Sequence, residues 1–127
     1  MNWISIAVGG AAGALLRYLV SGWAYALLGE GFPWGTLSVN LIGSFLIGFL
    51  WRLFDQVAIS PNTRTLIFVG GLGAFTTFST YGLESLNLLR SGQYKLGLLN
   101  VLGSNVLGIL FVFLGFVAAR AVLAAGR

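Results

Sequence analysis

The stretch Gly70-Gly71-Leu72-Gly73-Ala74-Phe75-Thr76-Thr77-Phe78-Ser79-Thr80-Tyr81 decides how this chain is read. It lies in an uncharged run of 19 residues between Arg64 and Glu84, close to the length that crosses a hydrocarbon core. Three glycines in four residues weaken a helix, by about 1 kcal/mol each relative to Ala. Four hydroxyls in five residues come directly after them. Irregular backbone at membrane depth survives only where it is buried in protein or lines a wet cavity, and broken helices there offer carbonyls and amides to ions. The stretch therefore predicts a third helix broken mid-membrane. The competing reading is an unbroken helix whose Ser and Thr bond back to their own carbonyls.

The rest of the chain supports a bilayer setting. Of 127 residues, 57% are hydrophobic and only 8% charged, against about 25% charged in a soluble domain. Uncharged runs of 21 residues between Glu30 and Arg52, and of 24 between Lys95 and Arg120, supply further spans. A first span runs through Arg17. The alternative there, a cleaved signal peptide, lacks a basic region ahead of its apolar stretch. The expected organisation is one all-α integral membrane domain over residues 1–127, with four transmembrane helices near 3–28, 35–54, 64–90 and 96–120. Turn residues such as Gly29, Pro33, Pro61 and Gly92 separate the spans, and Trp3, Trp23, Trp34, Trp51 and Tyr94 fall near their ends as an aromatic belt.

His and Cys are absent and Asp plus Glu total 3, which removes the usual ligands of zinc, haem and iron–sulfur centres and any nucleophile–base pair. No enzyme is expected. A net charge of +4 is spread over span ends and forms no nucleic-acid patch. With four spans, Arg52, Arg64, Arg120 and Arg127 share one side, against Arg90 and Lys95 on the other. So weak a bias permits insertion in both orientations. Four short helices enclose little space alone, so a homo-oligomer is expected. Gly9-x-x-x-Gly13 and Ser44-x-x-x-Gly48 are small-residue patterns that suit either an interface or packing within one copy.

Candidate pathway groups are uncharged. Phe75 and Phe78, three apart, would share a helix face, and their ring edges carry partial positive charge. Asn40 in the second span and Asn100, Ser104 and Asn105 in the fourth place amides and a hydroxyl in lipid, where they mark either a pathway or interhelical bonding. Arg17 either snorkels, pairs with Glu84 or gives a vestibule positive potential.

Gly35-Thr36-Leu37-Ser38-Val39-Asn40-Leu41-Ile42-Gly43-Ser44-Phe45 closely resembles the second-span signature of the small fluoride channels, the Fluc or CrcB family. Residues 70–80 resemble that family's broken third helix, and Gly13-Ala14-Leu15-Leu16-Arg17-Tyr18 its first-span motif. The resemblance covers essentially the whole chain. It implies a multi-pass protein of a microbial inner membrane that forms an antiparallel, dual-topology homodimer with two fluoride pores for passive efflux. It further implies Asn40 as the pore amide, Phe75 and Phe78 as ring-edge contacts to fluoride, and Thr76, Thr77, Asn100 and Ser104 as a polar track. Arg17 would shape the vestibule. Gly70 and Gly73 would offer carbonyls to a structural sodium ion on the dimer axis. Where relatives carry a fourth-span Tyr, this chain has Asn100. The alternative of a small dual-topology drug or cation exporter needs a carboxylate in the first span, and residues 1–29 contain none.

Overall fold

A computed structural model describes residues 2–126. Helix α1 (Asn2–Leu28) ends where Gly29 takes a φ of +87°, a left-handed position that costs glycine nothing. Helix α2 (Trp34–Leu53) comes after a short turn through Pro33. A third apolar stretch, Pro61–Arg90, is built from several pieces. Helix α3 (Pro61–Arg64) starts with proline at its first position, and the Ser60 hydroxyl accepts from Thr63 N at 3.1 Å. It continues as a π-helical segment, Thr65–Leu72, and then as the turn α4 (Gly73–Phe75). Helix α5 (Phe78–Arg90) and helix α6 (Tyr94–Ala125) complete the chain, joined through Gly92 at a φ of +80°.

All four apolar stretches are long and apolar enough to cross a membrane, and no strand occurs among the described residues. The chain is an all-helical, multi-pass membrane protein. Few side chains are enclosed: Val39 and Ala119 are fully buried, whereas Trp3, Leu27 and Phe78 are at least 80% exposed. In water such a surface would aggregate; in a bilayer the apolar side chains face a solvent of their own kind.

Close backbone approach takes the place of a large core. Helix α2 packs mainly on α6, and α1 on the π-helical segment and α4. A Cβ placed on Gly48 would overlap the Val112 carbonyl, and one on Gly115 would overlap the Phe45 carbonyl, so each helix lodges in a notch of the other. Gly9 and Gly13 do the same on the other side, against the carbonyls of Leu66 and Gly71. The small-residue patterns of the first and second spans thus serve contacts within one copy.

The conformation of the third stretch differs from expectation in position. The glycines remain helical, in widened turns that let α1 approach. Helical backbone instead stops after Phe75, where Thr76 (φ −86°, ψ 157°) and Thr77 (φ −146°, ψ 122°) are extended, and it resumes at Phe78.

Candidate functional site

The two extended residues are held by α2. Asn40 Nδ2 donates to Thr77 O at 2.9 Å, and Thr77 N donates back to Asn40 Oδ1 at 2.8 Å. One amide side chain thereby satisfies both polar groups of a residue that has left the helix, which an apolar residue at position 40 could not do. Nδ2 carries two hydrogens, and Thr77 takes one of them. The Thr77 hydroxyl caps α5, accepting from Thr80 N at 3.3 Å and donating to Thr80 Oγ1 at 3.1 Å. The Thr76 hydroxyl donates back to Leu72 O at 3.0 Å. The hydroxyl protons of Thr76 and Thr77 are therefore engaged inside the chain, and the unengaged donors at the break include the second Asn40 hydrogen and the Phe78 and Ser79 amides that open α5.

An open cleft of about 350 Å³ faces this interruption, lined among others by Asn40, Ser44, Gly73, Thr76, Thr77 and Phe78. The N-terminus of the 13-residue helix α5 opens beside it, so amide dipoles give the cleft a partial positive potential. On the far side of the same span, Arg17 Nε donates to Ala74 O at 3.1 Å, which brings a guanidinium to the turn preceding the break. Its side chain also lines a separate cleft on the outer face of α1, together with Ser21 and Tyr25.

The expected pairing of Phe75 with Phe78 is corrected by this backbone. Residues three apart share a face only while the helix persists. With Thr76 and Thr77 extended, Phe75 turns inward (7% exposed) to an apolar cleft it shares with Gly13, Leu16 and Leu46. Phe78 turns outward (80% exposed) into the polar cleft. Its ring neighbour is Tyr81, three residues on in the same helix, with centroids 5.4 Å apart and planes at 58°. Asn105 Nδ2 donates to the Tyr81 hydroxyl at 3.0 Å.

Helix α6 is tied to α5 by the amides expected in the fourth span. Asn100, 2% exposed, donates from Nδ2 to Ser85 Oγ at 2.9 Å, and the Ser104 hydroxyl donates to Asn100 Oδ1 at 3.3 Å. Ser85 in turn donates to Tyr81 O at 2.8 Å. Asn100 and Ser104 do share a face, and that face is turned to α5.

Glu84 is not paired with Arg17. The Tyr25 hydroxyl donates to its Oε2 at 2.7 Å, and the Thr36 hydroxyl donates to Oε1. Tyr25 reaches it over Gly35, where any Cβ would collide with the ring. Thr36 lies one helical turn before Asn40, so the two present polar groups to α5 along one face of α2. Sequence reasoning does not single out Tyr25, Thr36, Tyr81 or Ser85. Spacing offers a signal for Thr36 and Tyr81, each one turn from a chosen residue; Tyr25 has only the look of an interfacial aromatic.

The glycine carbonyls differ in what they can offer a cation. Gly70 is packed on α1, where an added Cβ would stand 2.8 Å from Ile6 O, and its own carbonyl accepts from Gly73 N. Gly73 lines the cleft, and the amide that would close a helical bond on its carbonyl, Thr77 N, is given to Asn40 instead. A hard cation such as sodium takes oxygen donors, and of this pair Gly73 has the fitting environment.

These features define a class: a four-span membrane protein whose third span is interrupted beside a polar cleft lined by uncharged donors. Similarity to known proteins makes the class specific. The model of the family described as CrcB-like protein, Camphor Resistance (CrcB), matches residues 4–116. A protein of Magnetococcus marinus named fluoride-specific ion channel FluC is 55% identical over 116 residues, covering 91% of this chain and 94% of the relative. Proteins of the same name from Parabacteroides distasonis (48% identical; 91% of each chain) and Salinibacter ruber (56% identical; 87% of this chain, 83% of the relative) are similarly related. The chain belongs to the CrcB family.

Proposed function

We propose that this protein is a fluoride-selective channel of the cell inner membrane that lets fluoride leave passively. The observation that carries the reading is the Asn40–Thr77–Phe78 interruption in a chain 55% identical to a protein named as a fluoride-specific channel. Fluoride is small and strongly hydrated, so lost water must be replaced by hydrogen-bond donors. The second Asn40 hydrogen, the first α5 amides and the positive ring edge of Phe78 supply such contacts without a fixed cation in the cleft. Conduction needs binding strong enough to admit the ion and weak enough to release it, and dipoles meet both demands. Phe78 takes the ring-edge role on this cleft, and Phe75, buried against an apolar cleft on the other side of the span, does not reach it within one copy.

The functional unit is an antiparallel, dual-topology homodimer with two pores and with each interruption lying mid-membrane. An open cleft and a Phe78 ring 80% exposed beside it are what a site completed by a second copy requires. A structural sodium ion on the dimer axis would be held by backbone carbonyls, with Gly73 the better placed of the two glycines; when bound it would add positive charge near both pores.

Purified protein reconstituted into liposomes loaded with fluoride or chloride tests the reading. Rapid fluoride loss with negligible chloride loss is expected; no fluoride flux, or equal flux of both anions, overturns it.

A further inference from the structure

The end of the molecule remote from Glu84 carries a feature the channel reading does not use. Arg52, in the last turn of α2, and Arg120, near the end of α6, line one groove of about 580 Å³. Its remaining walls are Val117, Ala121, Leu123 and Ala124. The Arg52 guanidinium lies 5.8 Å from the centroid of the Phe116 ring, so the two are level along the bundle, and Arg120 is one helical turn further out. Trp51, next to Arg52 in sequence and 54% exposed, lies outside the groove, edge-on to Phe68 at 5.5 Å. A third guanidinium, Arg64, lies 5.8 Å from the Trp51 ring centroid. An exposed tryptophan beside arginines at the ends of apolar helices marks the level of lipid headgroups. Asp55, the acidic residue nearest in sequence, does not line the groove, and Arg52 and Arg120 have no ion-pair partner among the described residues.

We infer that this groove binds an anionic phospholipid. Arginine forks match phosphate oxygens in bidentate geometry, and both arginines line this one groove. Inward of Arg120 the outer face of α6 continues through Val117 and Phe113, 55% and 64% exposed and one helical turn apart, where an acyl chain would run. A free anion would use the arginines and leave Val117 and Phe113 exposed, whereas a zwitterionic lipid would cover that apolar face and neutralise neither charge. An anionic lipid does both. The groove lies at the opposite end of α2 from Thr36 and shares no lining residue with the cleft at the interruption, so its occupancy stabilises the fold apart from that cleft.

The test uses the full chain in a neutral detergent. Its melting temperature is followed while dioctanoyl phosphatidylglycerol, dioctanoyl phosphatidylcholine or inorganic phosphate is titrated in. Phosphatidylglycerol is expected to raise the melting temperature by several degrees in a saturable way, phosphatidylcholine to have little effect, and phosphate none. The double variant Arg52→Gln/Arg120→Gln should lose most of that shift, and Arg90→Gln/Lys95→Gln, at the other end of the bundle, should retain it. Equal shifts with phosphatidylglycerol and phosphatidylcholine overturn the inference, as does a full shift with phosphate alone, and both arms use the unaltered protein. A full shift in the Arg52/Arg120 variant also overturns it. So does conversion of that variant from dimer to monomer on size exclusion without any lipid response in the parent, which would assign the groove to a second copy. Fluoride flux of the double variant in phosphatidylcholine liposomes should match the parent, which separates this inference from the channel reading.

Discussion

The two sides of the third span behave differently although only two residues separate them. On the Phe75 side, Gly71 meets Gly13 of α1 backbone to backbone, Phe75 is buried, and the neighbouring cleft is apolar. On the Phe78 side, an asparagine replaces helical hydrogen bonds, a phenylalanine stands exposed, and the cleft carries hydroxyls and amides. Thr76 and Thr77 make the difference, because their extended backbone rotates α5 relative to α4. In this small bundle glycine serves packing, while the polar break is made by an amide on a neighbouring helix. Had the glycines formed the break, α1 would have lost the surface on which it lies.

That contrast can be broken first at Asn40. Asn40→Leu leaves the Thr77 amide without a partner, at about 1–3 kcal/mol, and takes one of two donors from the Thr77 carbonyl, which still caps the first turn of α5. Denaturation of the purified protein should show a loss of about 2 kcal/mol, and reconstituted fluoride flux should fall at least about tenfold. Unchanged stability would mean that the extended residues do not depend on this amide.

The packing side is tested at Gly13. Gly13→Leu drives a side chain into the Gly71 carbonyl, and overpacking of this kind costs about 1–3 kcal/mol. The expected result is a clear drop in melting temperature, with selectivity for fluoride over chloride retained in whatever protein folds. A loss of selectivity with full stability would place the glycines in the pathway.

A smaller effect is expected at Tyr25. Tyr25→Phe removes one of the two hydroxyls on Glu84 while keeping the ring over Gly35. One hydrogen bond is worth about 1 kcal/mol net, so stability should fall by about that much. A loss of several kcal/mol would show that the Glu84 carboxylate depends on Tyr25 far more than on Thr36.

Much of the fold is legible in the sequence because bilayer physics is blunt. Uncharged runs of about 20 residues, turn residues between them and aromatics at their ends leave little choice of architecture. Asn40 is legible because an amide in lipid needs a reason. The position of the interruption is not, because glycine's low helix propensity is outweighed here by the close contact it allows with α1. The face of Phe75 is misread for the same cause: periodicity assumes a continuous helix, and the extended Thr76–Thr77 pair resets it. The Tyr25–Glu84–Thr36 contact joins residues up to 59 positions apart, and nothing local in the sequence announces it.

The proposed passage of fluoride on the Phe78 side of the span, and not on the Phe75 side, has a direct consequence for two matched substitutions. The most direct measurement compares fluoride efflux from liposomes containing Phe78→Ile with efflux from liposomes containing Phe75→Ile, at equal amounts of dimeric protein. Phe78→Ile should reduce flux by about tenfold, roughly 1.4 kcal/mol in barrier, while Phe75→Ile stays within about twofold of the parent despite a lower melting temperature. Flux lost in Phe75→Ile and preserved in a well-folded Phe78→Ile would contradict it.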